Sequence, residues 1–239
     1  MNPLAGTYLS AAIELLPRIA EVNRPTLRAL GPILGRVAAS GGVIHTFGSG
    51  HSEMIAREIA GRAGGLVCVS GIFDPGGGFS ENLAGYGTKL AERYDRAHGL
   101  RPGEAIVVIS NSGRNASPCE VAQYAKTRGL TVVGLVSKTM AGAAPAGGKN
   151  LAAIADHLLD NGGVSGDALV EVAEGTRAGP TSTLAGVLLL NLLLLEVIGW
   201  LKAGGRPLPI LRSQHLPGAI EHNRALAEKY AGRLSRPVA

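Results

Sequence analysis

The sequence predicts an α/β fold: a parallel sheet with helices on both faces. Three observations carry that expectation. Short β-branched apolar runs alternate with stretches of helical apolar spacing. Runs such as Ala105-Ile106-Val107-Val108-Ile109 are apolar at every position, as in strands buried on both faces. And 239 residues, 46% of them hydrophobic, suffice for one sizeable core. No fixed-period repeat or linker divides the chain, so residues 1–239 are expected to form one domain.

Leu9, Ile13, Leu16, Ile19 and Ala20 recur at helical spacing, and Pro25 marks a break. Leu27, Leu30, Ile33, Leu34 and Val37 repeat the pattern up to Gly41-Gly42, so an N-terminal helical pair is expected over residues 1–40. Val43–Phe47 then reads as a first strand ending at Gly48. Ile55, Ile59 and Ala63 restore helical spacing, and Leu66–Val69 reads as a second strand. Residues 82–98 read as helix, and Ala105–Ile109 as the third strand. Ser117-Pro118-Cys119-Glu120 has the form of a capping box, with serine at N-cap, proline at N1 and glutamate at N3. Thr131–Val136 is the fourth strand, the small residues and breakers of 141–148 a flexible loop, and His157–Asp160 the fifth strand. Helices are expected over about 182–202 and 216–231, from apolar spacing.

Composition narrows the function. Aromatics are only 4%, too few for a stacking surface on nucleic-acid bases or carbohydrate. A net charge of +5 without a basic run suits a small anionic ligand and gives no nucleic-acid footprint. Cys68 and Cys119 form neither a disulfide framework nor a metal-ligand spacing, and Cys68 reads as a small core residue. The start, Met1-Asn2-Pro3-Leu4, has no basic segment leading into an apolar one, so no signal peptide is expected. Asn191 and Glu196 interrupt the apolar stretch Leu184–Leu201, which reads as a core helix and not a membrane span. A cytoplasmic location, with no membrane partner, follows.

Ligands of open parallel sheets bind beyond the carboxyl ends of the strands. Gly48-Ser49-Gly50-His51-Ser52 follows the first strand, Ser110-Asn111-Ser112-Gly113-Arg114-Asn115 the third, and Asp160-Asn161-Gly162-Gly163 the fifth. The first two lead into helices. Glycine admits close backbone approach, helix-start N–H groups point outward, and serine hydroxyls add donors, a combination suited to phosphate. Ordinary turn chemistry uses the same residues, so the argument rests on there being two such turns. Glu53 holds the third glycine position of a dinucleotide fingerprint, no acidic residue ends the second strand, and no GxxxxGK[ST] is present. A small phosphorylated metabolite fits better than a nucleotide.

These turns resemble those of the SIS (sugar isomerase) family, most closely the group related to phosphoheptose isomerase and N-acetylmuramic acid 6-phosphate etherase. The supporting stretches are GSGHSEMIAREIAGRAGG (48–65), SNSGRNASP (110–118), ADHLLDNGG (155–163), GPTSTLAG (179–186) and EHN (221–223). The resemblance implies a doubly wound, five-stranded, flavodoxin-like sheet that binds phosphosugars. By position, Ser110 and Ser112 match the family's phosphate-binding serines, and Ser49 and Ser52 match residues of the same pocket. Asn111, Asn115, Thr181 and Ser182, in the matching stretches, join them as candidate phosphosugar contacts. Glu58 in EIAGR matches an active-site glutamate of the isomerase, although the stretch from Ser52 is shorter by about one helical turn. Asn191 stands near the place of that isomerase's active-site histidine.

The implied chemistry removes the proton α to the carbonyl of an open-chain sugar 6-phosphate. Isomerisation and β-elimination or dehydration both follow from that step. The etherase resemblance tilts the substrate towards an N-acetylhexosamine 6-phosphate, and no metal or other cofactor is called for. Glu58 is the candidate base, His51 a candidate donor within the first turn, and His222 the candidate second proton-transfer group. His45, inside a strand, reads as a core histidine. In SIS proteins the last helices often complete a neighbouring subunit's site, which is the ground for choosing His222. The two N-terminal helices have no strand partners and need a surface to cover, so a homodimer or homotetramer is expected, with residues 1–40 as its contacts. The alternative to an enzyme is a non-catalytic phosphosugar-binding regulator. Regulators of this kind usually carry a DNA-binding helix-turn-helix, and no basic recognition helix is evident in the forty or so residues before the sheet.

Overall fold

The computed structural model describes residues 1–142 and 150–236. Its centre is a five-stranded parallel sheet of β1 (Ile44–Gly48), β2 (Val69–Ile72), β3 (Ala105–Ile109), β4 (Thr131–Val136) and β5 (His157–Asp160). The order is β2-β1-β3-β4-β5, so the winding reverses between β1 and β3. Every residue of β1, β2 and β3 is buried, as expected for strands covered on both sides. Within β3, Val107 and Ile109 face the core formed with α1 (Pro3–Ala39), α2 (His51–Glu58) and α7 (Ser182–Ala203). Ile106 and Val108 face the other core, with α3 (Tyr86–His98), α4 (Ala116–Thr127) and α6 (Leu151–Ile154). The short α5 (Lys138–Gly142), the hairpin β6 (Val170–Ala173) and β7 (Thr176–Ala178), and α8 (Ala219–Glu228) complete the fold.

The N-terminal helical pair is one continuous 37-residue helix, α1, that runs through Pro17, Pro25 and Pro32. Each proline forfeits a backbone hydrogen bond, and tertiary burial offsets that cost. Leu15, Ile19, Leu27, Leu30 and Leu34 pack into the core, and Gly31 and Gly35 bring α1 close to Glu196 and Trp200 of α7. Asn23, buried mid-helix, accepts from the N–H of Asp160 at 2.8 Å and donates to its carbonyl at 2.8 Å. It thus fastens α1 to the end of the edge strand β5. The apolar helix α7 is long enough to cross a membrane, yet much of it is packed against α1 and α2.

Three more expectations are corrected. The second strand lies three residues later, at Val69–Ile72. Leu66 and Val67 instead bond to the returning segment 209–210. The helix expected over 82–98 starts only at Tyr86, because Gly76, Gly77, Gly78 and Gly85 hold 75–85 in turns. The capping box does not form. Asn115 is the N-cap of α4, and the Ser117 hydroxyl has no partner among the described residues. Glu120 instead accepts from the N–H groups of Gly85 and Thr88, capping the neighbouring α3. Of the loop expected over 141–148, residues 141–142 end α5 and 143–148 lie outside the described residues.

His45 sits in the core, as its strand position suggests. Below β1, Glu104 accepts from the N–H groups of Val43 and Arg101, from Arg233 at 2.7 and 2.9 Å, and from His45 Nε2 at 3.0 Å. Burial alone would raise the Glu104 carboxyl, but the hydrogen bonds from His45, Arg233 and the Arg101 N–H outweigh it and hold the group at about 2. Burial pushes His45 down, so its ring stays neutral. The Glu104 shift favours the folded chain at neutral pH, whereas the His45 shift adds a penalty only as pH falls below the ordinary 6.5, so both weaken the fold on acidification. The Glu104 contribution goes as pH falls from the ordinary 4.5 towards 2. Glu104→Gln is therefore expected to cost about 3 kcal/mol at pH 7 and to flatten the acid limb below pH 4.5. Urea denaturation at pH 7 and pH 3 measures both, and an unchanged acid limb would count against the assignment.

Candidate functional site

The register between β1 and β3 pairs Gly48 with Ile109, so the turns that follow leave the sheet side by side. They do so where the winding reverses, the place at which open α/β sheets form a crevice. A cleft of about 520 Å³ lies there. Ser49, His51 and Ser52 line it from the first turn, and Ser110, Asn111, Ser112 and Asn115 from the second. Ser182 contributes from the start of α7.

The first turn is tight because Gly48 and Gly50 permit it. A Cβ at Gly48 would run into the Ser52 carbonyl, and Gly50 has φ +55°. The loop 75–85 closes over it. A Cβ on Gly78 would lie 2.7 Å from Gly50 Cα, so that approach also needs glycine. Asp74 holds this loop by accepting from the N–H groups of Gly76 and Gly78 and from the Tyr86 hydroxyl at 2.6 Å. Further along it, Glu81 accepts from Ser49 Oγ at 2.7 Å, and its carbonyl accepts from the Ser117 N–H at 2.8 Å.

In the second turn, Ser110 Oγ accepts from the N–H of Gly113 at 3.2 Å and Ser112 Oγ from that of Arg114 at 3.3 Å. Both hydroxyls act as acceptors there, which leaves their protons for a ligand. Asn111 is held from behind. Its Oδ1 accepts from Asn161 Nδ2 at 2.8 Å, and its carbonyl accepts from the Ser137 N–H. On the far wall, Asp167, at φ +49°, accepts from the N–H groups of Thr181 and Ser182 and from Ser182 Oγ. It therefore caps α7 from within the cleft.

The decisive match is to a family model described as the SIS domain, which covers residues 7–137. The chain belongs to the SIS-domain family. It is 34% identical over 233 residues to a UPF0309 protein of Listeria monocytogenes, covering 95% of this chain and 97% of that one. A UPF0309 protein of Brucella canis is 33% identical, covering 98% of each chain. Among solved structures, the phosphoheptose isomerase from Francisella tularensis superposes with a TM-score of 0.56 at 15% identity, covering 82% of this chain and 98% of the other. The one from Neisseria gonorrhoeae gives 0.55 at 18%, covering 81% and 96%. The Vibrio vulnificus NanR protein complexed with ManNAc-6P gives 0.52 at 16%, covering 99% and 72%. At these identities the solved structures speak for the fold, which is the doubly wound sheet the resemblance implied.

The SIS cleft gathers eight of the eleven expected site residues: Ser49, His51, Ser52, Ser110, Asn111, Ser112, Asn115 and Ser182. Thr181 is buried just behind, its N–H on Asp167. Glu58 and His222 are not brought to the cleft of their own chain. Glu58 is the last residue of α2, about 10 Å along the helix from His51. There it pairs with Arg62 and is partly exposed. His222 Nε2 contacts the Ile210 carbonyl at 3.0 Å, and Asn223 bonds both the N–H and the carbonyl of Arg212. His222 and Asn223 thus hold residues 210 and 212 of the returning segment.

Sequence reasoning missed Glu81 and Asp167, the two carboxylates among the cleft's described lining residues. Glu81 stands one residue before the helix expected over 82–98, in a stretch to which no site was assigned. Asp167 carries one weak signal, an Asp after Gly166 at a left-handed position. Among the described residues no group of three or more His, Cys, Asp or Glu is placed to hold a metal ion. Burial pushes the Cys68 thiol up to about 12, in keeping with a core role. Asp167→Ala should cost about 1 kcal/mol through the lost cap of α7, read from the urea midpoint. An unchanged midpoint would mean the cap contributes nothing.

Proposed function

We propose that this SIS protein binds a sugar 6-phosphate across its two serine turns and removes the proton α to the open-chain carbonyl, leading to isomerisation or to β-elimination. The observation that carries this reading is the convergence of the two turns on one cleft at the reversal of the sheet. Ser110 and Ser112, with protons to give, and the N–H groups opening α2 and α4 supply donors for a phosphate. The cleft has no Lys or Arg among its described lining residues, so phosphate binding here relies on hydroxyls and backbone amides.

The substrate class follows the fold neighbours. NanR was solved with ManNAc-6P, and two further neighbours are phosphoheptose isomerases. Together with the etherase-like motifs they favour an N-acetylhexosamine 6-phosphate. The protein would work in the cytoplasm without a cofactor, as a homodimer or homotetramer. His222 would then serve a neighbouring copy's cleft. One observation favours a second reading. Glu58 and His222, the expected acid–base pair, lie outside the cleft of their own chain, which suits a regulator that binds a phosphosugar and does not transform it.

Incubation with N-acetylglucosamine 6-phosphate, N-acetylmuramic acid 6-phosphate and glucose 6-phosphate, followed by calorimetry and mass spectrometry, distinguishes the two. We expect binding of at least one compound and conversion of it to an isomer or an elimination product. The double variant Ser110→Ala, Ser112→Ala should weaken binding at least tenfold, two lost hydrogen bonds to a charged group being worth about 3 kcal/mol or more. Binding without conversion would favour the regulator. Absence of binding to all three would remove the phosphosugar reading.

A further inference from the structure

The cleft presents three titratable side chains among its described lining residues: His51, Glu81 and Asp167. Their surroundings suit them to different work. Asp167 is committed to α7, with two backbone N–H groups and the Ser182 hydroxyl on its two oxygens. His51 is exposed and opens α2, where a ring N–H is well placed to donate towards an anion. Glu81 differs from both. Ser49 Oγ fixes one of its oxygens at 2.7 Å, while Oε1 carries no hydrogen bond or ion pair among the described residues. Its backbone is anchored as well, by the Ser117 N–H on its carbonyl. The side chain therefore has a set orientation and an oxygen left over, in a cleft walled by both serine turns.

From this we infer that Glu81, not Glu58, takes and returns the substrate's α proton. The inference rests on the phosphosugar reading of the same cleft. The free oxygen of Glu81 removes the proton from C2 of the open-chain aldose. The C–H electron pair forms the C1–C2 double bond, and the carbonyl π pair moves to O1. For a 2-hydroxy sugar, the proton returns to C1 while the O2 hydroxyl proton moves to O1, completing aldose–ketose isomerisation. For a 2-acetamido sugar bearing a leaving group at C3, the O1 pair re-forms the carbonyl. The C1–C2 pair becomes the C2–C3 double bond, and the departing C3 oxygen takes the proton from Glu81. Neither route needs an oxidant, a reductant or a second substrate. Ser49 has a different role from a phosphate donor here. Its hydroxyl proton is given to Glu81, which makes it the positioning residue for the base.

Loss of the C2 proton in deuterium oxide, followed by proton NMR with N-acetylglucosamine 6-phosphate and glucose 6-phosphate, tests the step apart from turnover. Calorimetry with the same compounds gives binding. Wild type should bind and exchange. Glu81→Gln should bind within about threefold of wild type and lose at least ~100-fold in exchange rate, the usual scale of a general base. Should Glu81→Gln fail to fold by circular dichroism, Glu81→Ala takes its place, with exchange restored by added formate. Exchange by the folded variant within threefold of wild type would overturn the role of Glu81 and leave the phosphosugar reading standing. Loss of binding in a folded variant would also overturn it, making Glu81 a ligand contact. Wild type that binds without exchange overturns the step in favour of the regulator. Wild type that binds neither compound removes the phosphosugar reading and this inference together.

Discussion

The pairing of β1 with β3 is the constraint on which the cleft depends. Those strands are far apart in the chain, yet their register sets Gly48 opposite Ile109 and makes both turns leave the sheet at one level. A slip of the register by one residue would turn each side chain to the other face of the sheet. The two cores would then be broken, because Val107 and Ile109 belong to one and Ile106 and Val108 to the other. Burial on both faces therefore fixes the register, and the register fixes the site. The loop 75–85 depends on this in turn, because Glu81 reaches Ser49 on the first turn with its side chain and Ser117 beyond the second turn with its backbone.

The parts of this arrangement written locally in the chain were legible from the sequence. Five strands were expected, and four of them lie within a residue of the expected place, because short apolar runs beside turn residues have few other uses. The serine turns were legible for the same reason, their glycines marking sharp exits from buried strands. What escaped was written across the chain. Pro25 was read as a break because the burial of Leu27, Leu30 and Leu34 against the sheet and α7 is invisible to local spacing. The Ser117–Glu120 box has a local form but not a local partner, and Glu120 spends its carboxylate on α3.

The same distinction explains the site residues. Glu58 was carried over on a motif, and the shortness of α2 leaves it at the end of the helix remote from the first turn, engaged with Arg62. His222 was chosen for a polar cluster that instead ties α8 to residues 210 and 212. Glu81 has no motif at all. Its place in the cleft comes from glycines that hold 75–85 in turns and from Asp74, which gathers the loop by accepting from Gly76, Gly78 and Tyr86.

The charge distribution makes a glutamate in this position intelligible. A phosphate site built on Lys or Arg would surround the anion with permanent charge and draw a nearby carboxylate into an ion pair. This cleft has neither residue among its described lining groups, so a carboxylate can stand in it without being neutralised by a cation. Hydroxyls and helix-start amides stabilise an anion over short range and with direction, because their dipoles act only where they point. The phosphate binding proposed for this cleft and a free carboxylate oxygen are then compatible in one small volume, provided the turns are held rigidly. Asn161 behind Asn111, and Glu81 beside Ser49, are the contacts that hold them.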